Sequence, residues 1–264
     1  MKDMQKHLMN CRICSKKIRP SYVLHSGRFA IDVQTYYCEE CEAFFSCGGE
    51  VNYENADLIN YYLSYEKYIR SRYQTFFSFI DSVIAPKRFL DIGAGMGFSL
   101  VVANQFGWLS KGIEPNKVLA DYAISVNCDV YNCYLGGEMS GEYDMILIDN
   151  VLEHISQPND FLEHAKHLLA PSGLLVIAVP PLDWLRKGLA KVSYIRNHIA
   201  APQLNIFNEV DEHVNIFSRK AMGHLLQKVG LRLLDTRFHH SPLYNNKLYR
   251  GLGLDDGYYF AVHV

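Results

Sequence analysis

Residues 91–97 read Asp-Ile-Gly-Ala-Gly-Met-Gly, with glycines at every second position behind the apolar pair Phe89-Leu90 and an aspartate. Glycine weakens a strand or helix interior, so this spacing marks a backbone that turns sharply or meets a ligand closely. A dinucleotide fingerprint has the form GxGxxG and cradles a pyrophosphate at a helix N-terminus. Here Gly93, Gly95 and Gly97 are spaced GxGxG, and Asp91 would repel a diphosphate. That acid suits a ligand carrying an amine or a sulfonium. Glu114 follows the next apolar stretch, where a carboxylate accepts both hydroxyls of a ribose. The two acids together describe a cationic nucleoside without phosphate, and S-adenosylmethionine has that chemistry.

Sulfur supplies the second constellation. Cys11-x2-Cys14 and Cys38-x2-Cys41 form two pairs separated by 23 residues. Each pair presents two thiolates from one tight turn, and four around a Zn²⁺ close a tetrahedral structural site. The alternating stretch between the pairs, residues 22–37, suits a hairpin, so residues 1–50 read as a zinc ribbon that depends on its metal to fold. Two unrelated pairs of turn cysteines are the plainer alternative. Cys47 is a spare thiol close enough to substitute as a ligand, whereas Cys128 and Cys133 read as bystanders.

The elements that must position these residues follow from periodicity. Residues 56–84 carry Leu58, Tyr62, Ile69, Phe76, Phe77 and Ile80 at helical spacing, which makes residues 51–86 a helical linker. Its simplest role is packing; Arg72 or a tyrosine covering a ligand site is the second possibility. From residue 87 to 264, short apolar strands alternate with helices near 98–106, 116–126, 159–169 and 219–229. Ser218 caps the last of these and Gly230 ends it. Such alternation predicts an α/β fold, a Rossmann-like, doubly wound and mostly parallel seven-stranded sheet, with its final two strands as an antiparallel edge hairpin. In such sheets ligands lie over the carboxyl ends of the strands, where Asp91 stands.

The net charge of −2 offers no general attraction to polyanions, although residues 1–30 hold Lys2, Lys6, Arg12, Lys16, Lys17, Arg19 and Arg28 against Asp3 alone. No apolar run approaches the roughly 18 residues that span a bilayer, and no signal-peptide core is evident. The expected setting is cytoplasmic, with reduced thiols.

The ordered segments FLDIGAGMGFSL, GIEP, YDMILIDNVLEHISQP and HLLAPSGLLVIAVP resemble the successive motifs of class I S-adenosylmethionine-dependent methyltransferases, closest in flavour to the ubiquinone-biosynthesis type, over roughly residues 87–240. The resemblance implies that Asp91, Gly93 and Gly95 hold the methionine part, Glu114 the ribose, and Asn150 the methyl-donor side. The adenine loop lacks its usual acid, which leaves Tyr134 and Leu135 beside that ring.

Methyl transfer to a hydroxyl needs in-line alignment and gains from a base near neutral pKa, a role for histidine. His154, in Asp-Asn-Val-Leu-Glu-His, is the first candidate, with Glu153 orienting its neighbours. His213 lies in a loop before the 219–229 helix and is the second, contacting substrate, with Asp211 placed to orient it. Helix-start and loop-capping hydrogen bonds are the structural alternatives for the two histidines. His239 and His240 read as solvent-facing, and Asp183 and Trp184 as acceptor-pocket wall. An insertion around 181–213 includes a lid helix over 184–200, whose Arg186, Lys187, Lys191 and Arg196 either form a solvated face or meet an anionic acceptor.

The function expected is methylation, at oxygen first, of a small-molecule or sugar/polysaccharide-precursor acceptor. Alternatives are an RNA methyltransferase gripping phosphate with the basic ribbon, and a sugar or quinone C-methyltransferase. Stacking aromatics do not interleave with the basic residues, so nucleic acid is the less favoured partner.

Overall fold

A computed structural model describes residues 8–26, 31–47, 57–82, 84, 87–136, 139–180, 213–234 and 257–264. The N-terminal part contains β1 (Met9–Asn10), β2 (Lys17–Ile18), β3 (Pro20–Ser26), β4 (Ile31–Cys38) and β5 (Ala43–Ser46). A 24-residue helix, α1 (Asp57–Ile80), follows. Then come β6 (Arg88–Ile92), α2 (Phe98–Gln105), β7 (Leu109–Ile113), α3 (Lys117–Ser125), β8 (Val130–Tyr131) and β9 (Tyr143–Asp149). The chain continues through α4 (Pro158–His167), β10 (Leu169–Val179), β11 (Asn215–Phe217), α5 (Arg219–Lys228), β12 (Leu231–Leu233) and β13 (Gly257–His263).

The main sheet has seven strands in the order β12-β13-β10-β9-β6-β7-β8. Pairing is parallel from β10 through β8. The sheet is therefore α/β and mostly parallel, as its apolar strand runs require. Strand β13 slots between β10 and β12, antiparallel to both, so β12 is the outer strand of the pair. The order reverses at β6, whose neighbours are β7 and β9. The crevice at that reversal lies between the carboxyl ends of β6 and β9, which are Asp91-Ile92 and Ile148-Asp149.

Two apolar clusters cover the sheet. One joins α1, α2 and α3 to it through Phe76, Phe77, Phe89 and Trp108. Phe77 packs edge-on against Phe89 and Trp108, with centroids 5.2 and 5.7 Å away. The other contains Leu162 of α4 and Met222 and Leu225 of α5, together with Ile13, Ile18, Tyr36 and Phe45 of the N-terminal strands. The cysteine-bearing module thus shares a core with the main sheet. It is no separate appendage.

The reason is a strand that periodicity did not reveal. Residues Asn215–Phe217, read from sequence as loop, pair antiparallel with β5, giving a four-stranded sheet of order β11-β5-β4-β3. Three residues are too few to show an alternating pattern, and their partner lies far away in the chain. The hairpin expected between the cysteine pairs is present as β3 and β4. Asn116 and Ser218 cap α3 and α5 through backbone amides at positions 118, 119 and 221.

Candidate active site

The glycine turn begins where β6 ends. Gly93, Gly95 and Gly97 take φ values of +87°, +52° and +76°, which strain any other residue. A Cβ on Gly93 would lie 2.3 Å from Val151 Cγ2, and one on Gly97 2.8 Å from Cys128 Sγ. Those two glycines serve packing. Gly95 differs, because nothing lies within 4 Å of where its Cβ would be. Its backbone opens onto the crevice.

The amides of this turn are already used. Gly93 and Ala94 N–H both donate to Ile113 O, at 2.8 and 3.0 Å, and Gly97 N–H donates to Ala94 O at 2.9 Å. Gly95 N–H donates to Glu114 Oε2 at 2.8 Å. A pyrophosphate cradle needs such amides aimed at the ligand, and here four of them point into the protein. Glu114 also accepts from Asn116 N–H on Oε1 at 2.7 Å, which fixes its carboxylate beside the turn.

Three carboxylates converge on the crevice. Asp91 is buried; its Oδ2 accepts from Ser99 Oγ, and its Oδ1 has no hydrogen-bond partner. Burial pushes its pKa up to about 7, with Asp149 and Glu114 adding to the rise and Ser99 and Arg72 opposing it. Burial also raises Glu114, against the two backbone donors. Asp149 ends β9 and pairs with Arg72 of α1. Tyr73 donates to the same Asp149 Oδ2 at 2.8 Å. Arg72 pairs with Asp149 and bears on Asp91 but is not among the groups acting on Glu114, so the crevice is left with a negative surplus. Arg72 Nε is buried without a hydrogen-bond partner. An orphan carboxylate oxygen and an orphan guanidinium N–H in one crevice complement the ammonium and carboxylate of an amino acid.

Asp149 escaped the sequence reading, although an aspartate closing an apolar run was a visible signal, and the tyrosine read as an alternative to Arg72 was not singled out as Tyr73. Arg72, one of two options read for α1, does reach the crevice. Asn150 holds a left-handed φ of +54° and is exposed, with its N–H bonded to Ala178 O at 2.8 Å. Leu135 is half-buried against the main core, on a loop tied back when Asn132 Nδ2 donates to Glu114 O and Pro115 O.

Beyond Asn150 a single 3₁₀ turn, Leu152–His154, carries Glu153 and His154. The structure brings His154 and His213 together, with ring centroids 4.8 Å apart and planes at 77°. Asn215, next but one to His213, does the positioning. Its Nδ2 donates to Leu152 O at 3.1 Å and Ile155 O at 2.7 Å. Ser46 Oγ donates to His213 O at 3.3 Å, so both histidines are referred to the four-stranded sheet. Glu153 is 1% exposed beside them.

The four cysteines Cys11, Cys14, Cys38 and Cys41 also converge. The Cys11–Cys41 and Cys14–Cys38 sulfurs are each 3.8 Å apart. That is about the tetrahedral edge for metal–sulfur bonds of about 2.3 Å, so the donor set fits zinc. Burial pushes the Cys11 thiol up to about 11, and raises Cys41 further with help from its neighbours. Cys14 is lowered instead, its burial outweighed by hydrogen bonds from the Lys16 backbone and the neighbouring thiols. Cys47 is exposed and outside the cluster. Asp183, Trp184, the 184–200 lid, Asp211, His239 and His240 lie outside the described residues.

Residues 62–236 match a family described as a methyltransferase domain. A ubiquinone biosynthesis O-methyltransferase of Caulobacter sp. (strain K31) is 29% identical over 114 residues, 40% of this chain and 45% of that protein. A norajmaline N-methyltransferase of Rauvolfia serpentina is 31% identical over 35% of each chain. The chain spans about half the length, or less, of these curated relatives. Among solved structures, the magnesium protoporphyrin IX methyltransferase of Synechocystis PCC 6803 with bound SAH superposes with a TM-score of 0.54 at 14% identity, over 82% of this chain and 90% of the other. The plantazolicin methyltransferase BpumL with SAH gives 0.56 at 16% identity, over 80% and 92%. At those identities the likeness is one of fold. No helix among the described residues is long and apolar enough to cross a membrane.

Proposed function

Because the chain belongs to the class I S-adenosylmethionine-dependent methyltransferases, we propose that it moves the methyl of S-adenosylmethionine to a hydroxyl of a small-molecule or sugar acceptor. The observation that carries the reading is the negative surplus of Asp91, Glu114 and Asp149 around a turn whose amides are already occupied. A sulfonium and an ammonium answer that surplus; a phosphate does not.

In this reading the orphan Asp91 Oδ1 takes the ammonium, Arg72 Nε the carboxylate, and Gly95 lets the methionine chain approach, while Gly93 shapes the turn by packing against Val151. Glu114 keeps lone pairs for the ribose hydroxyls, Leu135 flanks the adenine, and Asn150 borders the methyl-donor side. His154 and His213 stand past that end and activate the acceptor. The acceptor oxygen attacks the methyl carbon in line, and the C–S electron pair stays on sulfur, leaving a neutral thioether. The names of the Caulobacter and Rauvolfia relatives support small acceptors, with oxygen and nitrogen both represented.

Zinc on Cys11, Cys14, Cys38 and Cys41 is structural here, because four protein ligands close the site. Thiols kept reduced for that purpose suit a cytoplasmic setting. RNA is the rival acceptor. A cleft of about 650 Å³ on the ribbon is lined by Lys16, Lys17 and Arg19, but also by Glu39 and Glu40. Lys16 already pairs with Glu40, which breaks the continuous positive track that RNA would need.

The test is incubation with S-adenosylmethionine and separate phenolic, sugar-nucleotide and short RNA acceptors, with S-adenosylhomocysteine and product mass as readouts. Methylation of a hydroxyl in either small acceptor class supports the reading. Turnover confined to RNA overturns the acceptor, and absence of cofactor binding overturns the reaction.

A further inference from the structure

Only the second half of helix α1 is built into the core. Phe77 meets Phe89 near the start of β6, and one turn earlier Tyr73 donates to Asp149 at the end of β9. The helix therefore runs from the carboxyl ends of the strands toward their amino ends. Asp57–Arg72, about 24 Å of helix at 1.5 Å per residue, precedes that contact, and Leu58 to Arg72 are all at least partly exposed. This half of α1 projects past the sheet, beside the mouth of the crevice.

One face of the projecting half is aromatic. Tyr61, Tyr65, Tyr68 and Arg72 recur at helical spacing on one side of α1, and Arg72 carries that side to Asp149. Phe76, one turn beyond Arg72, stacks on Tyr258 of β13. On the other flank Phe77 meets Phe89 of β6, and the Arg70 guanidinium lies 5.0 Å from the Phe98 ring of α2. The tyrosine face thus stands over the β9, β10 and β13 half of the sheet, the side of Asn150 and His154. Glu114, which follows β7, lies on the other half. Tyr61, Tyr65 and Tyr68 are 60%, 50% and 59% exposed, and the first two rings touch with centroids 5.2 Å apart. Tyrosine is a poorer helix former than the Lys, Glu or Gln of an ordinary solvated face, so the helix itself does not call for this row.

We propose that Tyr61, Tyr65 and Tyr68 form an aromatic wall on which a flat phenolic acceptor stacks, a substrate class that rests on the methyl-transfer reading above. An exposed apolar row that continues from a ligand crevice suits a ligand that covers it. Rings stack on rings in offset or edge-on arrangements, which fix the plane of an acceptor without holding its hydroxyl. The hydroxyl is then left to face His154 and the methyl group. A nucleotide-linked sugar is disfavoured at the same place, because its phosphates would approach the acids of the crevice, where Asp91, Glu114 and Asp149 leave a negative surplus. The wall therefore selects the phenol over the sugar nucleotide.

Calorimetry on the zinc-loaded chain tests the wall, with S-adenosylhomocysteine present so that nothing turns over and with caffeate, quercetin and UDP-glucose as probes. At least one of the two phenols should bind, and UDP-glucose should be weaker by about tenfold or more. Tyr65→Ala combined with Tyr68→Ala should weaken the phenol by about tenfold or more. Tyr65→Phe combined with Tyr68→Phe should stay within about twofold, because the stack uses the ring and not its hydroxyl. Both pairs should keep the wild-type melting point and S-adenosylhomocysteine affinity. Phenol affinity unchanged in the alanine pair, no binding of either phenol, or UDP-glucose as the tighter ligand overturns the wall. A lower melting point or a changed oligomeric state in the alanine pair also overturns it, since the face would then pack against this chain or a second copy. S-adenosylhomocysteine binding alongside any of those results leaves the methyl-transfer reading standing. Phenol binding that the alanine pair weakens, in a chain that takes up no S-adenosylhomocysteine, would support the wall and sink that reading.

Discussion

Arg12 Nη1 donates to Asn215 Oδ1 at 2.9 Å, across 203 residues of chain. Arg12 sits between Cys11 and Cys14, and the same guanidinium also donates to Val214 O and to Ser46 O. Asn215 in turn holds the Leu152–Ile155 turn. A mechanical path therefore runs from the thiolate cluster to His154 and His213, and it bypasses the cofactor crevice.

Arg12→Ala should separate the two halves of the reaction. Loss of three acceptors' donor lets the turn and β11 drift, and misplacement by about 1 Å costs about 100-fold in rate. Steady-state kinetics with a turning-over acceptor should show kcat down by about 10- to 100-fold. Calorimetry should find S-adenosylmethionine affinity within about twofold of wild type. A variant with normal kcat would break the proposed path.

Stripping the zinc, by chelation or Cys41→Ser, should destabilise the whole fold, because the ribbon and main sheet share one core. Isolated zinc modules draw about 10 kcal/mol or more from the metal. A third of that here corresponds to a melting point lower by about 10 °C. Elemental analysis should find one zinc per chain before stripping, and a wild-type protein without zinc but with the same melting point would contradict the structural role.

Much of this was legible in the chain itself. Asp91, the glycine spacing and both CxxC pairs are local signals, set by chemistry that acts within a few residues. The apolar strand runs were equally plain, since a strand buried on both faces has little choice of residue. What could not be read depends on distant partners. β11 exists because β5 offers it a free edge, and Arg12 looked like one more basic residue of a charged N-terminus. The Arg72–Asp149 pair needed the register of β9 against β6 and the packing of α1 to become visible.

Asp91 titrates in a useful range. Its folded pKa of about 7 lies above the ordinary value of 3.8, so between those limits the ligand-free fold binds a proton that the unfolded chain does not. That contribution to stability is fully present at low pH and is lost as pH rises through 7. Asp91→Asn should therefore raise the ligand-free melting point at pH 8 by several degrees and leave it little changed near pH 4. The cationic ligand needs the ionised acid, so wild-type affinity should fall as pH drops from 8 to 6. In the variant that slope should vanish and affinity be weaker by about 10- to 100-fold.

Two glycines of one turn should respond differently to alanine. Gly97→Ala drives a Cβ to 2.8 Å from Cys128 Sγ at φ +76°, so it should lower stability by several kcal/mol. Gly95→Ala meets nothing within 4 Å and should cost only the backbone strain, about 1 kcal/mol. Its Cβ projects where the methionine chain is proposed to lie, so cofactor affinity should drop while the fold survives. Thermal melts with and without S-adenosylhomocysteine resolve both outcomes.

The most direct measurement is calorimetric titration of the purified, zinc-loaded chain with S-adenosylmethionine and, in parallel, with NADH. One equivalent of S-adenosylmethionine should bind, Asp91→Asn should weaken it, and NADH should give no heat. NADH binding in its place, or no S-adenosylmethionine binding to a folded chain, would mean that the acids at the end of β6 serve another ligand.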